Sequence, residues 1–207
     1  EDVLDVYKRE YDPKWPQICM DEMPKQLLGE IRLPLPMQPG QAQKQDYEYE
    51  RHGTGNVFML FEPLAGKRYV QVTSRRTAAD WAQVMKTLSD EYYPEAEGIV
   101  LVMDNLNTHK PASFYETFEP EEAHRLSQRF EIYYTPKHGS WLNMAEIELS
   151  ALVRQCLGGR IPDQETLNTE AQAWAKERND EVVKVDWRFS TADARIKLKH
   201  LYPKIQV

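Results

Sequence analysis

Asp104 closes a short apolar run, Gly98-Ile-Val-Leu-Val-Met103, and Glu146 follows 42 positions later within Leu142-Asn-Met-Ala-Glu-Ile-Glu-Leu149. A third carboxylate, Asp21, ends the strand-like stretch Ile18-Cys-Met20. Acids that converge from the ends of elements suit phosphoryl transfer. Hard divalent cations take carboxylate oxygens, and a pair of ions held in this way clamps both the attacking and the leaving oxygen. A chain with 33 acidic residues supplies many trios by chance, so the placement of these three on elements decides their worth.

Several elements position them. Ile18 to Asp21 has the apolar density of a short central strand, and residues 22–51, rich in proline, glutamine and charge (Pro24, Pro34, Pro36, Pro39, Gly40), read as a long excursion without sustained periodicity. Asn56 to Phe61 and Lys67 to Thr73, separated by Glu62-Pro-Leu-Ala-Gly66, read as an antiparallel hairpin. Thr77 with Asp80 makes a capping box, after which Trp81, Val84, Met85, Leu88 and Tyr92 share one helical face until Pro94. Residues 98–103 and 130–134 read as fully buried strands. Leu142, Ala145, Leu149, Leu152 and Cys156 keep helical spacing up to Gly158-Gly159. This order predicts a mixed sheet with helices packed on it, the first and fourth strands side by side, and a site beyond the strands' carboxyl ends. At about 100° per residue, Glu146 lies within about 40° of Leu142 and Val153, whereas Glu148 projects about 160° away from it. Glu146 is therefore the acid expected to look back over the sheet.

Composition excludes several classes. At 41% hydrophobic, 11% aromatic and 29% charged, the chain can bury a core and keep a solvated surface. No apolar stretch approaches the roughly 18 residues of a membrane span. Cys19 and Cys156 form neither a metal knuckle nor a disulfide framework, and packed, reduced thiols are expected. The net charge of -7 argues against a protein that simply coats nucleic acid, but residues 184–207 carry a local +4, with Lys184, Arg188, Arg195, Lys197, Lys199 and Lys204 set against Asp186 and Asp193. That tail reads either as a phosphate-backbone contact or as a solvated helix face. Glu116, Glu119, Glu121 and Glu122 mark an exposed acidic helix turned away from any polyanion. One catalytic domain over residues 1–160 with a helical basic extension over 161–207 is expected. The start at Glu1, without methionine and already helix-like, reads as part of a longer protein.

Val102-Met-Asp104-Asn-Leu-Asn-Thr-His109 and Thr135-Pro-Lys-His-Gly-Ser-Trp-Leu-Asn-Met-Ala-Glu146 resemble the second and third catalytic blocks of DDE transposases of the mariner superfamily, in its bacterial insertion-sequence branch. Ile18-Cys-Met-Asp21 resembles the first block, and Trp187-Arg-Phe-Ser-Thr-Ala-Asp-Ala-Arg195 that branch's carboxyl terminus. The interval from Asp104 to Glu146 is longer than in most animal relatives, with the extra length around Phe114 to Gln128, and Met144 stands where many relatives have proline.

The resemblance implies an α/β, RNase H-like, retroviral integrase-like fold: a mixed five-stranded sheet flanked by helices. It implies catalytic, metal-holding roles for Asp21, Asp104 and Glu146 with two Mg²⁺ or Mn²⁺ ions. The activity implied is hydrolysis of phosphodiesters at transposon ends followed by attack of the 3′-hydroxyl on target DNA, usually at TA. Its partners would be double-stranded DNA, as terminal inverted repeats and target, and a second copy of the chain on that DNA. A bacterial member would act in the cytoplasm at the nucleoid, and the family's amino-terminal helix-turn-helix region is absent from this sequence. Alternatives are an RNase H-like nuclease or resolvase without strand transfer, and a domesticated relic that only binds DNA. Candidate DNA contacts are Asn105, His109, Lys137, His138, Trp141, Arg195 and Lys197. Against these stand turn chemistry for Asn105, loop packing for His109, an ordinary basic loop for Lys137 and His138, and sheet packing for Trp141.

Overall fold

Apolar side chains alternate along the central strands and split the interior into two cores, one on each face of a single sheet. The computed structural model describes residues 1–32, 37–41, 47–137, 139–199 and 202; Pro34, Pro36, His138 and Lys204 lie outside them. In chain order the elements are α1 (Asp2–Val6), β1 (Gln17–Glu30), β2 (Tyr49–Glu62), β3 (Lys67–Thr73), α2 (Ala78–Thr87), β4 (Ile99–Met103), α3 (Ala112–Thr117), α4 (Pro120–Arg129), β5 (Phe130–Tyr134), α5 (Met144–Gln155), α6 (Gln164–Asp180) and α7 (Thr191–Lys197). The sheet order is β3-β2-β1-β4-β5, antiparallel among β1 to β3 and parallel from β1 through β4 to β5. This is the mixed five-stranded, helix-flanked sheet of the RNase H-like fold, with β1 beside β4 as expected.

Cys19, Met59, Val100 and Val102 point to the face covered by α1, α5 and α6, and Ile18, Met20, Leu60, Leu101 and Met103 to the face covered by α2, α3 and α4. Both faces are covered, so the central strands read as continuous apolar runs rather than as alternation. The capping box between Thr77 and Asp80 starts α2, which buries Trp81, Val84 and Met85 and continues through a π-helical turn at Leu88–Tyr92. The extra length between Asp104 and Glu146 builds α3 and α4, whose Phe114, Ala123 and Leu126 complete the second core. Glu116, Glu119 and Glu121 are exposed, as expected, but the acids do not share one helix, since Glu116 lies in α3 and Glu121 and Glu122 in α4, and Glu122 is half-buried against Lys86 and Arg125.

The first strand differs from expectation. Asp21 is not its last residue, because β1 runs on to Glu30 and pairs with β2 from Cys19–Phe61 out to Glu30–Tyr49, with a register shift near Gln26. The parallel ladder to β4 stops at Cys19–Val102. Past that point β1 is covered less fully, so Gln26 can be polar on a strand, and the exposed Pro24 is tolerated where the β4 side no longer needs its N–H. The sequence pattern therefore reads as an excursion although β2 holds it in the sheet.

Residues beyond 160 share the first core. Leu167, Ala171, Trp174 and Ala194 pack with Val3, Leu4 and Leu149. The free edge of β3 is capped by α6: Asn179 Oδ1 accepts from the Arg68 amide and its Nδ2 donates to the Arg68 carbonyl, both at 2.8 Å, and Gln172 Nε2 donates to the Val70 carbonyl. Thr191 hydrogen-bonds Asp5 and Lys8, each at 2.9 Å, tying α7 to α1. At the β2–β3 turn Gly66 has φ +69° and lies where a Cβ would come within 3.0 Å of the Val182 backbone, so glycine is required there twice over.

Candidate active site

β1, β3, β4 and β5 run in one direction, so the loops after β3, β4 and β5 leave the same end of the sheet, and the midpoint of β1 carrying Asp21 lies toward that end. Asp104 follows Met103, the last residue of β4. Glu146 lies in the first turn of α5, where the helix amino terminus favours a carboxylate. Asn143 sets that helix start: its Oδ1 accepts from the Ala145 amide at 3.1 Å and its Nδ2 donates to the Met20 carbonyl at 2.7 Å. The Tyr7 hydroxyl donates to the Leu142 carbonyl at 2.6 Å, fastening the same turn. The helix carrying Glu146 is thus hydrogen-bonded to the residue preceding Asp21.

Asp21 feels the charges of the other two acids. Burial pushes the Asp21 carboxyl up to about 7, aided by the negative charges of Asp104, Glu22 and Glu146 and only partly opposed by the Glu22 amide, which donates to Asp21 Oδ1 at 2.8 Å. Crowded carboxylates are the donor set that a hard divalent cation takes, and a cation would relieve their repulsion, so the residues present fit such an ion. Glu148, two positions on, is spent elsewhere. It is 1% exposed and accepts from Arg68 Nε at 2.6 Å and from Arg178 Nε and Nη2, each at 3.1 Å.

His109, read from the sequence as a phosphate contact or a loop-packed histidine, is buried at 1% exposed. Its Nδ1 lies 2.9 Å from Asp104 Oδ1 and its Nε2 lies 3.3 Å from Glu22 Oε2. Burial pulls the imidazole pKa down, but the hydrogen bond to Asp104, the close approach of Glu22 and the charges of both more than offset it, holding it at about 9. Glu22 was not singled out by sequence. It adjoins Asp21 on one strand and so faces the opposite side of the sheet, and the only sequence signal was the Asp-Glu doublet itself. Donor atoms of Glu22, Asp104 and His109 lie within 4.8 Å of one another.

The other candidates scatter. Asn105 is exposed and lines, with Asp104, Leu106, Pro136, Lys137 and Ser140, an open cleft of about 520 Å³. Trp141 is 44% exposed and meets Phe189 edge-on at 5.4 Å rather than packing on the sheet. Arg195 pairs with Glu1 at 2.7 Å, and Lys197 Nζ lies 5.6 Å from the centroid of the Phe189 ring. His138 is outside the described residues. Arg75 and Arg76, unremarked in the sequence, are exposed in the loop after β3 at the end of the sheet bearing the acids.

The sequence matches the family described as DDE superfamily endonuclease over residues 16–168, a span that contains all three acids. The chain belongs to that family. No curated protein sequence matches it. Among solved structures this DDE endonuclease chain is similar to the Mos1 mariner paired-end complex with Mn, at a TM-score of 0.59 and 16% identity over 88% of this chain and 54% of that one. It is similar also to the Mos1 strand transfer complex, at 0.57 and 15% over 88% and 57%. It therefore spans little more than half the length of those chains, and at such identity the likeness is one of fold. Among the described residues no helix is long and apolar enough to cross a membrane.

The raised Asp21 value fixes the sign of a pH effect. Its folded pKa of about 7 lies above the ordinary carboxyl value of 3.8, so its contribution to stability is full below about pH 4 and is lost as pH rises through 7. His109, raised from 6.5 to about 9, acts with the same sign in a higher window. Metal-free protein is expected to melt lower as pH rises from 4 to 7, and Asp21→Asn should flatten that part of the profile. Superimposable melting curves for the two proteins across this range would show that Asp21 is not strained.

Proposed function

We propose that the chain is the catalytic domain of a cut-and-paste DDE transposase of the mariner superfamily, in its insertion-sequence branch. It would hydrolyse phosphodiesters at transposon ends and join the exposed 3′-hydroxyl to target DNA at TA. The observation that carries this is the shared electrostatic field of Asp21, Asp104 and Glu146 at one end of an RNase H-like sheet, in a chain of a DDE endonuclease family. The likeness to Mos1 transposase complexes with transposon ends supports DNA as partner and a second copy of the chain on it.

Asp21, Asp104 and Glu146 would hold the metal from β1, the end of β4 and the first turn of α5, three elements tied together near Met20. Bound there, a pair of Mg²⁺ or Mn²⁺ ions would supply activation of the attacking oxygen and neutralisation of charge on the leaving 3′ oxygen. The chain's own part is to keep the acids fixed and to bring the phosphodiester to them. Asn105 and Lys137 line the cleft beside Asp104, and Arg75 and Arg76 flank the same end of the sheet, where cations would follow a phosphate backbone. Trp141, Arg195 and Lys197 would add contacts to DNA farther from the acids; for Arg195 this requires release from Glu1.

The test is strand transfer by the full-length protein on a pre-cleaved duplex ending in the inverted repeat that flanks its own gene, with Mn²⁺ and a target plasmid. Joined products inserted at TA are expected. Metal-dependent nicking without joining would replace the transposase with an RNase H-like nuclease, and binding with neither activity would leave a DNA-binding relic.

A further inference from the structure

We propose that Glu22 and His109 form a positioning clamp that fixes the Asp104 carboxylate relative to Asp21, an inference that rests on reading Asp104 as a metal-holding acid. The need for it is visible in the ladder. Parallel pairing of β1 with β4 ends at Cys19–Val102, so Asp21 and Asp104 project beyond the last backbone hydrogen bonds that could set their spacing. His109 spans that gap. Nδ1 donates to Asp104 Oδ1 at 2.9 Å, while Nε2 faces Glu22 Oε2 at 3.3 Å across the ring.

The imidazole is itself held on several sides. It stacks on Trp81 with centroids 5.9 Å apart and planes 28° apart, its amide donates to the Leu106 carbonyl at 3.1 Å, and its carbonyl accepts from the Tyr134 hydroxyl at 2.8 Å. Trp81 belongs to α2 and Tyr134 to β5, so the ring's position is set by elements other than its own loop. Side-chain exposure separates the roles: 1% for His109, 3% for Glu22 and 29% for Asp104. Only Asp104 opens to the cleft, and the other two act through it. Glu22 Oε2 is buried without a hydrogen-bond partner, a costly state that its ion pair with His109 offsets. Glu22 sits next to Asp21 on β1 but on the opposite face, so the clamp ties the strand of the first acid to the carboxylate of the second. Outer partners of this kind orient ligands, and losing one typically lowers metal affinity or activity about 10- to 100-fold.

Full-length protein and its His109→Ala, His109→Asn, Glu22→Gln and Asp104→Asn variants would be compared for metal-dependent DNA cleavage, for Mn²⁺ affinity and stoichiometry by electron paramagnetic resonance, and for melting temperature. His109→Ala and Glu22→Gln should each lower kcat and Mn²⁺ affinity by about 10- to 100-fold with the KM for DNA unchanged. His109→Asn, whose amide can donate from near the Nδ1 position, should recover part of the loss. Glu22→Gln keeps the side-chain shape and reports on the clamp even if His109→Ala does not fold. Wild-type kcat and Mn²⁺ affinity in Glu22→Gln, with Asp104→Asn inactive, would overturn the clamp and leave the acids in place. Loss of one whole Mn²⁺ equivalent in both clamp variants, the remainder binding normally, would overturn it in favour of a cation bound by Glu22, Asp104 and His109 themselves. Full activity of Asp104→Asn would instead overturn the reading on which the clamp rests.

Discussion

Asp104→Asn is expected to lower metal-dependent DNA cleavage by on the order of 10³-fold or more while the protein melts within a few degrees of wild type. On the proposed reading, removing one of three carboxylates would withdraw both charge and a ligand from the bound cation. A deficit of about 4 kcal/mol in charge stabilisation at the transferring phosphoryl group accounts for such a factor. The fold has little to lose. Asparagine keeps an oxygen that can accept from His109 Nδ1, and the side chain is only partly buried. Sequence alone points to a gain in metal-free stability for this variant through relief of repulsion. The structure moves that gain to Asp21→Asn, because Asp104 already has His109 as a counter-charge whereas Asp21 has the crowd of acids and burial that hold it at about 7. Glu146→Gln should be as inactive as Asp104→Asn. Cleavage by Asp104→Asn within tenfold of wild type would remove Asp104 from the chemistry.

Glu148→Ala should do the reverse, leaving a poorly folded protein whose remaining native fraction still cleaves DNA. Glu148 is wholly enclosed and joins α5 to β3 through Arg68 and to α6 through Arg178. Arg68, 0% exposed in its side chain, also donates to the Gly66, Arg178 and Val183 carbonyls and lies 4.7 Å from the Phe61 ring centroid. Deleting the one carboxylate strands a buried guanidinium, and breaking a buried pair from one side costs about 3–5 kcal/mol. In a chain of this length that corresponds to roughly 10 °C or more in melting temperature. Two glutamates two residues apart on one helix are therefore expected to give opposite phenotypes, Glu146→Gln folded and inactive, Glu148→Ala unstable and chemically competent. Chemical denaturation with equal midpoints for Glu148→Ala and wild type would show that the pair contributes nothing net.

Much of the fold is legible in the chain because its periodicities are local. The capping box at Thr77, the apolar runs at 98–103 and 130–134 and the helical spacing from Leu142 to Leu152 each announce one element within a dozen residues. The second half of β1 is not legible, because its order comes from pairing with β2 some thirty residues away and its outer face needs no apolar side chains.

The candidate site divides along the same line. Helical angle by itself put Glu146 and Glu148 on different faces of one helix, whereas the grouping of Asp21, Asp104 and Glu146 came from the resemblance of their sequence blocks. What Glu148 and His109 look at was decided only in three dimensions: Arg68 lies 80 residues before Glu148, and Glu22 is brought to His109 by the β1–β4 pairing. A sequence states which groups are available and which face of an element each occupies. The electrostatic environment of a buried charge depends on its distance to every charge and dipole around it and is summed over every element packed against it, so partners, protonation and accessibility belong to the tertiary structure alone.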